Sequence, residues 1–200
     1  TEAGLAPTIT GAGLTAFVGS MLSAFDVEVQ DILRLDSSNM QPEEWEFIAR
    51  TIHGCWEAYD GVVLTHGTDT MAYTAAALSY LIQNNRRPIG ITGAQKPIDL
   101  AITDARSNLL DSLRFASHDR AHGVSIDGKV IAGTRGKKER SKSYNAFSSI
   151  NFPQIAIIQD SRIIFYIDDK DHNTHPLVFY HQMNTNIFLM KLIPGTDGRI

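Results

Sequence analysis

The chain has 200 residues, of which 43% are hydrophobic and 20% are charged, a composition typical of one globular domain or of one domain with part of another. Its formal net charge of -4, with lysines and arginines scattered except in Arg135–Arg140, argues against nucleic acid as a partner. No apolar stretch is long enough to cross a bilayer, so we expect no membrane partner. The single cysteine, Cys55, excludes an internal disulfide and favours a cytoplasmic location.

The first segment, residues 1–22, begins with Thr1 rather than Met, so we expect a processed or truncated chain. A loop-like stretch is followed by a short helix predicted around Leu14–Leu22. Within residues 1–22, the stretch Gly11–Ala16 has the pattern GxGxxA, which is found in dinucleotide-binding loops. Because no apolar strand precedes these glycines, the context that such a loop requires is missing, and we reject a dinucleotide site.

A strand and a helix are predicted next. Apolar alternation predicts a strand over Asp26–Leu35, which ends at the polar cluster Asp36–Asn39. Pro42 at the first position, followed by two glutamates, is typical of a helix N-terminus. Apolar residues at three- and four-residue steps predict the buried face of this helix: Trp45, Ile48, Ala49, Ile52, Trp56 and Tyr59.

Two further strands end in polar loops. The β-branched run Val62–Leu64 stops at Thr65–Thr70, and an apolar helix follows. The run Ile89–Thr92 stops at Gly93–Pro97, and a helix is predicted over Thr103–Ser117. Three successions of strand, polar loop and helix predict an α/β fold with three layers, in which helices flank a mostly parallel sheet. Ligands bind beyond the carboxyl ends of strands in such sheets, so the loops are candidate sites.

The pattern changes after the third helix. Asp127 and Gly128 predict the turn of a hairpin, and short strands are predicted near Ile155–Ile158 and Ile163–Ile167. We expect three parts: residues 1–168 as one domain, 169–185 as a linker, and 186–200 as the beginning of a second domain, with an apolar strand at Asn186–Leu192.

Three histidines near the predicted linker raise the question of a metal site. His172, His175 and His181 have no cysteine beside them, and their spacing fits no common zinc pattern. We therefore expect solvated histidines and no bound metal.

The residues best suited to chemistry lie at the predicted strand ends and in the basic loop. A lysine amine that has lost its proton can deprotonate a threonine hydroxyl, and a carboxylate can orient that lysine or bind an ammonium group. Thr68, Asp69 and Lys138 could form such a set, but Thr68 and Asp69 could equally cap the following helix. Ser37 and Ser38 could likewise cap the helix at Pro42 or donate their hydroxyls to a carboxylate. The pattern alone leaves these alternatives open.

Four segments occur in the order DSSNMQPEEW, THGTDTMAYTAAALSYL, ITGAQKP and GTRGKKERSKSYNAFSSINFP. Together they resemble the bacterial-type L-asparaginases, specifically the type I cytoplasmic branch. The first resembles the segment that binds the α-carboxylate of the substrate, and the second resembles the second active-site signature. The last two resemble the third strand-end loop and the loop that carries the catalytic lysine.

The resemblance implies roles for individual residues. Thr68 would be the second catalytic threonine, activated by Lys138, and Asp69 would support this pair and bind the α-ammonium group of asparagine. The loop has Lys137 where the family more commonly has threonine. Substrate binding would be completed by Ser37, Ser38 and the backbone carbonyl of Ala94.

The implied reaction is hydrolysis of L-asparagine to L-aspartate and ammonia through an acyl-threonine intermediate, without a metal or cofactor. The family begins with a strand ending in TGGTI that carries the usual nucleophile, whereas TEAGLAPTIT resembles the mobile lid that follows it. The resemblance therefore implies a fragment that is inactive alone, in which the domain over residues 1–168 is incomplete at its N-terminus and residues 186–200 form the first strand of a smaller α/β domain. The parent protein would be a homo-oligomer (dimer or tetramer) whose sites are completed by the neighbouring subunit. The alternatives are the ammonia-generating subunit of a transfer-RNA amidotransferase and a non-catalytic asparagine-binding sensor.

Overall fold

The structure is a computed structural model that describes residues 13, 19, 22–121, 123–126, 129–141, 143–167 and 174–196. The helices are α1 (Pro42–Cys55), α2 (Met71–Leu81) and α3 (Ala105–Ala116). The strands are β1 (Val62–Thr65), β2 (Ile82–Gln83), β3 (Pro88–Thr92), β4 (Gly123–Ile126), β5 (Lys129–Ala132), β6 (Gly136–Lys138), β7 (Phe147–Ser149), β8 (Ala156–Gln159), β9 (Arg162–Phe165) and β10 (Val178–Phe179).

The central sheet has the strand order β1-β3-β4-β5-β8-β9. β1 and β4 both run parallel to β3, which lies between them, and Thr65 lies opposite Thr92. The remaining ladders of this sheet are antiparallel: β5 pairs with β4 on one side and with β8 on the other, and β8 and β9 form a hairpin. In this hairpin Asp160 and Ser161 have φ angles of 50° and 64°, the left-handed conformation that a tight two-residue turn requires. The predicted α/β class is confirmed, although the sheet is mixed rather than mostly parallel. The antiparallel strands of the first predicted hairpin are also confirmed, while its turn at Asp127 and Gly128 lies outside the described residues.

Helices cover both faces of the parallel part of the sheet. Ile89 and Ile91 of β3 are fully buried against α2, and α1 packs on α2 from outside. Val63 of β1 points to the opposite face and packs with Leu109 and Leu113 of α3. This alternation gives the three layers that the sequence predicts. The predicted buried face is also confirmed at Ile48, Ala49 and Ile52 of α1, and at Trp56, which begins a short 3-10 helix directly after it.

The strand predicted over Asp26–Leu35 is not formed in this structure. β1 is the edge strand of the described sheet, and no described strand lies on its outer side. A strand needs a hydrogen-bonded neighbour to satisfy its backbone, so apolar alternation alone does not produce one. Val29 and Leu33 are accordingly exposed.

The strand predicted at Asn186–Leu192 is also not formed. Phe188 is 78% exposed and Leu189 is 91% exposed, because no described element packs against them. The division into residues 1–168, 169–185 and 186–200 therefore stays a prediction. The predicted helix around Leu14–Leu22 falls almost entirely outside the described residues. Residues 169–173 of the predicted linker, with His172, also lie outside them.

No helix in the described ranges is long and apolar enough to cross a membrane. His181 lies beside α1, with its Nε2 atom 3.0 Å from Nδ1 of His53, and His175 lies in a bend. Across the described ranges there is no group of three or more His, Cys, Asp or Glu side chains arranged to hold a metal ion.

Candidate active site

Lys138 brings the predicted catalytic residues together. Its Nζ atom donates to Oγ1 of Thr68 at 2.7 Å and to Oδ1 of Asp69 at 2.7 Å, across about seventy residues of sequence. The lysine lies at the end of β6, where pairing with β7 sets its backbone opposite Phe147. The Lys138 side chain is only 15% exposed, whereas Asp69 is 67% exposed. An enclosed amine thus faces a hydroxyl, and a carboxylate beside it opens to solvent.

The helix-capping alternative for Thr68 and Asp69 is not realised. The N-cap residue of α2 is Thr70, and α2 receives no side-chain cap. Both side chains are instead engaged by Lys138. Their oxygens therefore lie just beyond the N-terminus of α2, where unpaired backbone N–H groups favour negative charge.

Two glycines allow three loops to meet at this point. A Cβ atom on Gly93 would lie 2.4 Å from the backbone oxygen of His66 and 3.2 Å from Cγ2 of Thr68. A Cβ atom on Gly67 would lie 2.6 Å from Oγ of Ser37. Side chains at either position would force the loops apart, so the glycines set the spacing of the site.

The predicted carboxylate-binding serines lie in different environments. Ser37 is 5% exposed and packs against Gly67, while Ser38 is exposed. Both belong to a short 3-10 turn in which the Asp36 carboxylate accepts from the Ser38 backbone N–H at 2.9 Å. Neither serine caps α1, whose N-cap is Gln41.

Ala94 lies in a loop that a buried carboxylate holds in place. Asp104 is 8% exposed and accepts from the backbone N–H groups of Gln95 at 2.9 Å and Lys96 at 3.1 Å. Asn108 Nδ2 donates to the backbone oxygen of Gly93 at 2.8 Å. The sequence pattern assigned no role to Asp104 or Asn108. The sequence feature that could have identified them is their position as polar residues at the start of a helix that follows a strand-end loop.

A histidine that the sequence pattern left unassigned links the loop after β1 to α1 and α2. Trp45 Nε1 donates to Thr74 Oγ1 at 2.8 Å, and that hydroxyl lies 2.9 Å from Nε2 of His66. Nδ1 of His66 lies 2.7 Å from the backbone oxygen of Gly67. A carbonyl can only accept, so Nδ1 carries the proton and Nε2 accepts from Thr74.

The surroundings of His66 agree with that neutral form. Burial lowers the pKa of His66 from its ordinary value, and the hydrogen bond to Gly67 opposes the shift only in part. The histidine therefore acts as a fixed, uncharged connector beneath the loop.

The arrangement is suited to acyl transfer. A lysine amine at hydrogen-bond distance from a threonine hydroxyl is the geometry of a base paired with a nucleophile or a proton relay. The carboxylate of Asp69 adds a site for a cationic group, and the adjacent buried serine loop offers donors for an anionic one. An α-amino acid carries both charges, so the site fits that class of ligand.

Comparison with known proteins gives the same indication. The family model described as asparaginase, N-terminal, matches residues 1–170. The L-asparaginase of Thermococcus kodakarensis is 39% identical over 175 residues, which are 87% of this chain and 53% of that relative. The structure of the thermostable L-asparaginase from the same organism superposes with a TM-score of 0.86 at 34% identity, covering 98% of this chain and 60% of that one.

Two more distant relatives differ in their descriptions. A probable cytoplasmic L-asparaginase from Campylobacter jejuni superposes with a TM-score of 0.73 at 32% identity, covering 77% of this chain and 50% of that one. A glutamyl-tRNA(Gln) amidotransferase subunit of Pyrococcus furiosus is 32% identical over 205 residues, 97% of this chain and 47% of that relative. The chain thus spans about half the length of these curated relatives. With the family match extending over most of its residues, the chain belongs to the asparaginase family.

Proposed function

We propose that the complete protein hydrolyses L-asparagine to L-aspartate and ammonia. The observation that carries the proposal is the contact of Lys138 Nζ with both Thr68 Oγ1 and Asp69 Oδ1. Relatives described as L-asparaginases support the choice of substrate.

The chemistry proceeds in two steps. A threonine hydroxyl attacks the side-chain amide carbon, its proton passes to the amide nitrogen through Lys138 and Thr68, and ammonia leaves. Water then attacks the acyl-threonine ester, returning the proton to threonine and releasing aspartate. In the family that this chain resembles the attacking hydroxyl belongs to the TGGTI strand, and we therefore assign Thr68 to the proton relay. The sheet-end position beside the N-terminus of α2 favours the oxyanion of each step.

Binding of the substrate uses both of its charges. The exposed carboxylate of Asp69 pairs with the α-ammonium group, and the hydroxyl of Ser37 donates to the α-carboxylate, with Ser38 in a secondary role. The backbone oxygen of Ala94 accepts from the side-chain amide. None of these contacts calls for a metal or cofactor.

We also propose a cytoplasmic homo-oligomer, a dimer or tetramer in which a neighbouring subunit completes each site. The exposed side of Asp69 supports this arrangement, because it leaves room for a further group beside the substrate. The Campylobacter relative described as cytoplasmic supports the location, as does the free thiol of Cys55.

A second candidate is the ammonia-generating subunit of a transfer-RNA amidotransferase. The observation that favours this candidate is the match to the Pyrococcus amidotransferase subunit, which extends over 97% of the present chain. Such a protein would release ammonia only with its partner present, so the requirement for a partner separates the two candidates.

The test measures ammonia release by the complete protein with L-asparagine and with L-glutamine. We expect turnover of asparagine without a partner, and a loss of at least about 100-fold in kcat on Lys138→Met. Lys137→Met is the matched control, because the Lys137 side chain is 62% exposed and its Nζ atom makes only a long ion pair, 4.0 Å from Oε1 of Glu139. Equal activity of Lys138→Met and wild type would contradict the proposal. Asparagine binding in calorimetry without ammonia release would favour the non-catalytic sensor instead.

A further inference from the structure

Two helix N-cap residues at this site do not cap their own helices. A threonine or aspartate at the N-cap normally accepts from the backbone N–H groups of the first helical turn. Thr70 occupies the N-cap of α2 and Asp104 that of α3, yet neither side chain makes such a bond. Each side chain instead forms hydrogen bonds with another loop, so a long-range interaction replaces the local cap.

The hydroxyl of Thr70 is directed to the loop of Ser37. Oγ1 of Thr70 donates to the backbone oxygen of Ser37 at 2.7 Å, across 33 residues of sequence. The same serine is buried and packs against Gly67 on its other side. Ser37 is therefore held between two residues of the segment that carries Thr68 and Asp69.

The carboxylate of Asp104 is directed to the loop of Ala94. Oδ2 accepts from the Gln95 N–H at 2.9 Å, and Oδ1 accepts from the N–H groups of Gln95 and Lys96, each at 3.1 Å. Asn108 Nδ2 contacts Oδ2 at 3.4 Å and also bonds the backbone oxygen of Gly93. A buried carboxylate with several N–H partners forms stronger hydrogen bonds than a neutral acceptor, so this loop is fixed firmly.

We propose that Thr70 and Asp104 are positioning residues for the substrate. Thr70 sets the place of Ser37, which binds the α-carboxylate, and Asp104 sets the place of the Ala94 carbonyl, which binds the reacting amide. The inference rests on the proposed function and adds which residues fix each end of the substrate. The two ends differ in kinetic consequence, because carboxylate binding is the same in the ground and transition states whereas orientation of the amide affects the reaction step.

The first experiment compares Thr70→Val with Thr70→Ser in the complete protein. Valine keeps the shape and removes the hydrogen bond, so we expect KM for asparagine to rise about fivefold, with kcat within about twofold of wild type. Serine keeps the hydroxyl and restores KM. In a Ser37→Ala background, Thr70→Val should have little additional effect, because the interaction that it supports is already lost.

The role of Thr70 is overturned if Thr70→Val leaves KM unchanged, or if its effect adds fully to that of Ser37→Ala. It is also overturned if Thr70→Ser raises KM as much as Thr70→Val does, since the hydroxyl is then not responsible.

The second experiment compares Asp104→Asn with Asp111→Asn. Both aspartates lie on or beside α3, but Asp111 lies about two turns further along the helix and pairs with Arg114. We expect Asp104→Asn to lower kcat by about 10-fold to 100-fold, because charge-assisted hydrogen bonds to the loop are lost. Asp111→Asn should leave kcat unchanged. Far-UV circular dichroism at the assay temperature confirms that both variants are folded.

The role of Asp104 is overturned if the folded Asp104→Asn protein has the kcat of wild type and only a lower melting temperature. Absence of asparagine turnover in the wild type would instead overturn the proposed function. The two failures are therefore distinguishable. If wild type turns over asparagine, every result with the variants bears on the positioning residues alone.

Discussion

The loop after β1 and the loop after β3 lie side by side at the end of the sheet, yet they serve the site differently. The first loop presents side-chain oxygens, those of Thr68 and Asp69, to Lys138. The second contributes, in the proposed function, the backbone oxygen of Ala94, and two of its backbone N–H groups donate to the carboxylate of Asp104. A loop that contributes side chains shows its chemistry in its own residues, whereas a loop that contributes backbone depends on a residue elsewhere. The difference predicts which substitutions each loop tolerates.

The largest expected effect separates side-chain from backbone contribution. Thr68→Val removes the hydroxyl that Lys138 contacts, and we expect kcat to fall by about 100-fold to 10,000-fold. Ala94→Ser keeps the backbone oxygen and should change kcat by no more than about twofold. Steady-state ammonia release measures both variants. A large loss in Ala94→Ser, or none in Thr68→Val, would break the distinction between the loops.

The second prediction tests the contact between the loops. A Cβ atom on Gly93 would lie 2.4 Å from the His66 backbone oxygen, so Gly93→Ala should lower the free energy of unfolding by about 1–3 kcal/mol. Gly54 in α1 is the control, because a Cβ atom there meets nothing within 4 Å. Gly54→Ala should raise stability by about 0.5–1 kcal/mol. Urea unfolding gives both values, and a neutral Gly93→Ala would show that the loops are not in close contact.

The third prediction concerns the support of the first loop. Thr74→Val leaves the indole N–H of Trp45 and Nε2 of His66 without their partner, which should lower the free energy of unfolding by about 1–2 kcal/mol. Thr51→Val on α1 is the matched control, because its hydroxyl bonds only the preceding turn of its own helix. Equal denaturation midpoints for the two variants would show that the hydrogen bonds of Thr74 with Trp45 and His66 do not stabilise the loop.

The smallest effect is a pH dependence of stability. The pKa of His66 is lowered in the folded protein, so the unfolded chain binds more protons below the ordinary value of 6.5. Above pH 6.5 His66 is neutral in both the folded and the unfolded protein, so it does not change the free energy of unfolding. As the pH decreases from 6.5 through the pKa of folded His66, the unfolded chain takes up the proton first and the free energy of unfolding falls. Urea unfolding at pH 7.5 and 5.5 should show a smaller decrease for His66→Gln than for wild type. An identical decrease would show that His66 does not titrate in this way.

The sequence predicted the framework well because it is encoded locally. Pro42 and the spacing from Trp45 to Trp56 define α1, and the runs Val62–Leu64 and Ile89–Thr92 become strands β1 and β3. The strands predicted at Asp26–Leu35 and Asn186–Leu192 are not formed in this structure, since apolar residues indicate a tendency that only a neighbouring strand can satisfy. The assignment of residues 186–200 to a second domain stays a prediction.

The candidate site was predicted in part. Thr68 and Asp69 could be selected from the polar end of β1, but the partnership with Lys138 came from the resemblance, because a separation of about seventy residues carries no geometric information. The long-range bonds of Thr70 and Asp104 could not be predicted either. Both residue types are common N-caps, and only the folded structure shows that their side chains bond other loops.

The hydrogen bond from Trp45 to Thr74 makes the site optically observable. The chain has two tryptophans, and the indole of Trp45 is separated from the imidazole of His66 by a single hydroxyl. Trp56 is buried, with the guanidinium of Arg87 5.7 Å from its ring centroid and the ring of Phe179 packed edge-on against it. Replacing Trp56 with phenylalanine would leave Trp45 as the sole indole fluorophore. Its emission would then report the state of the loop that holds Thr68, without any attached label.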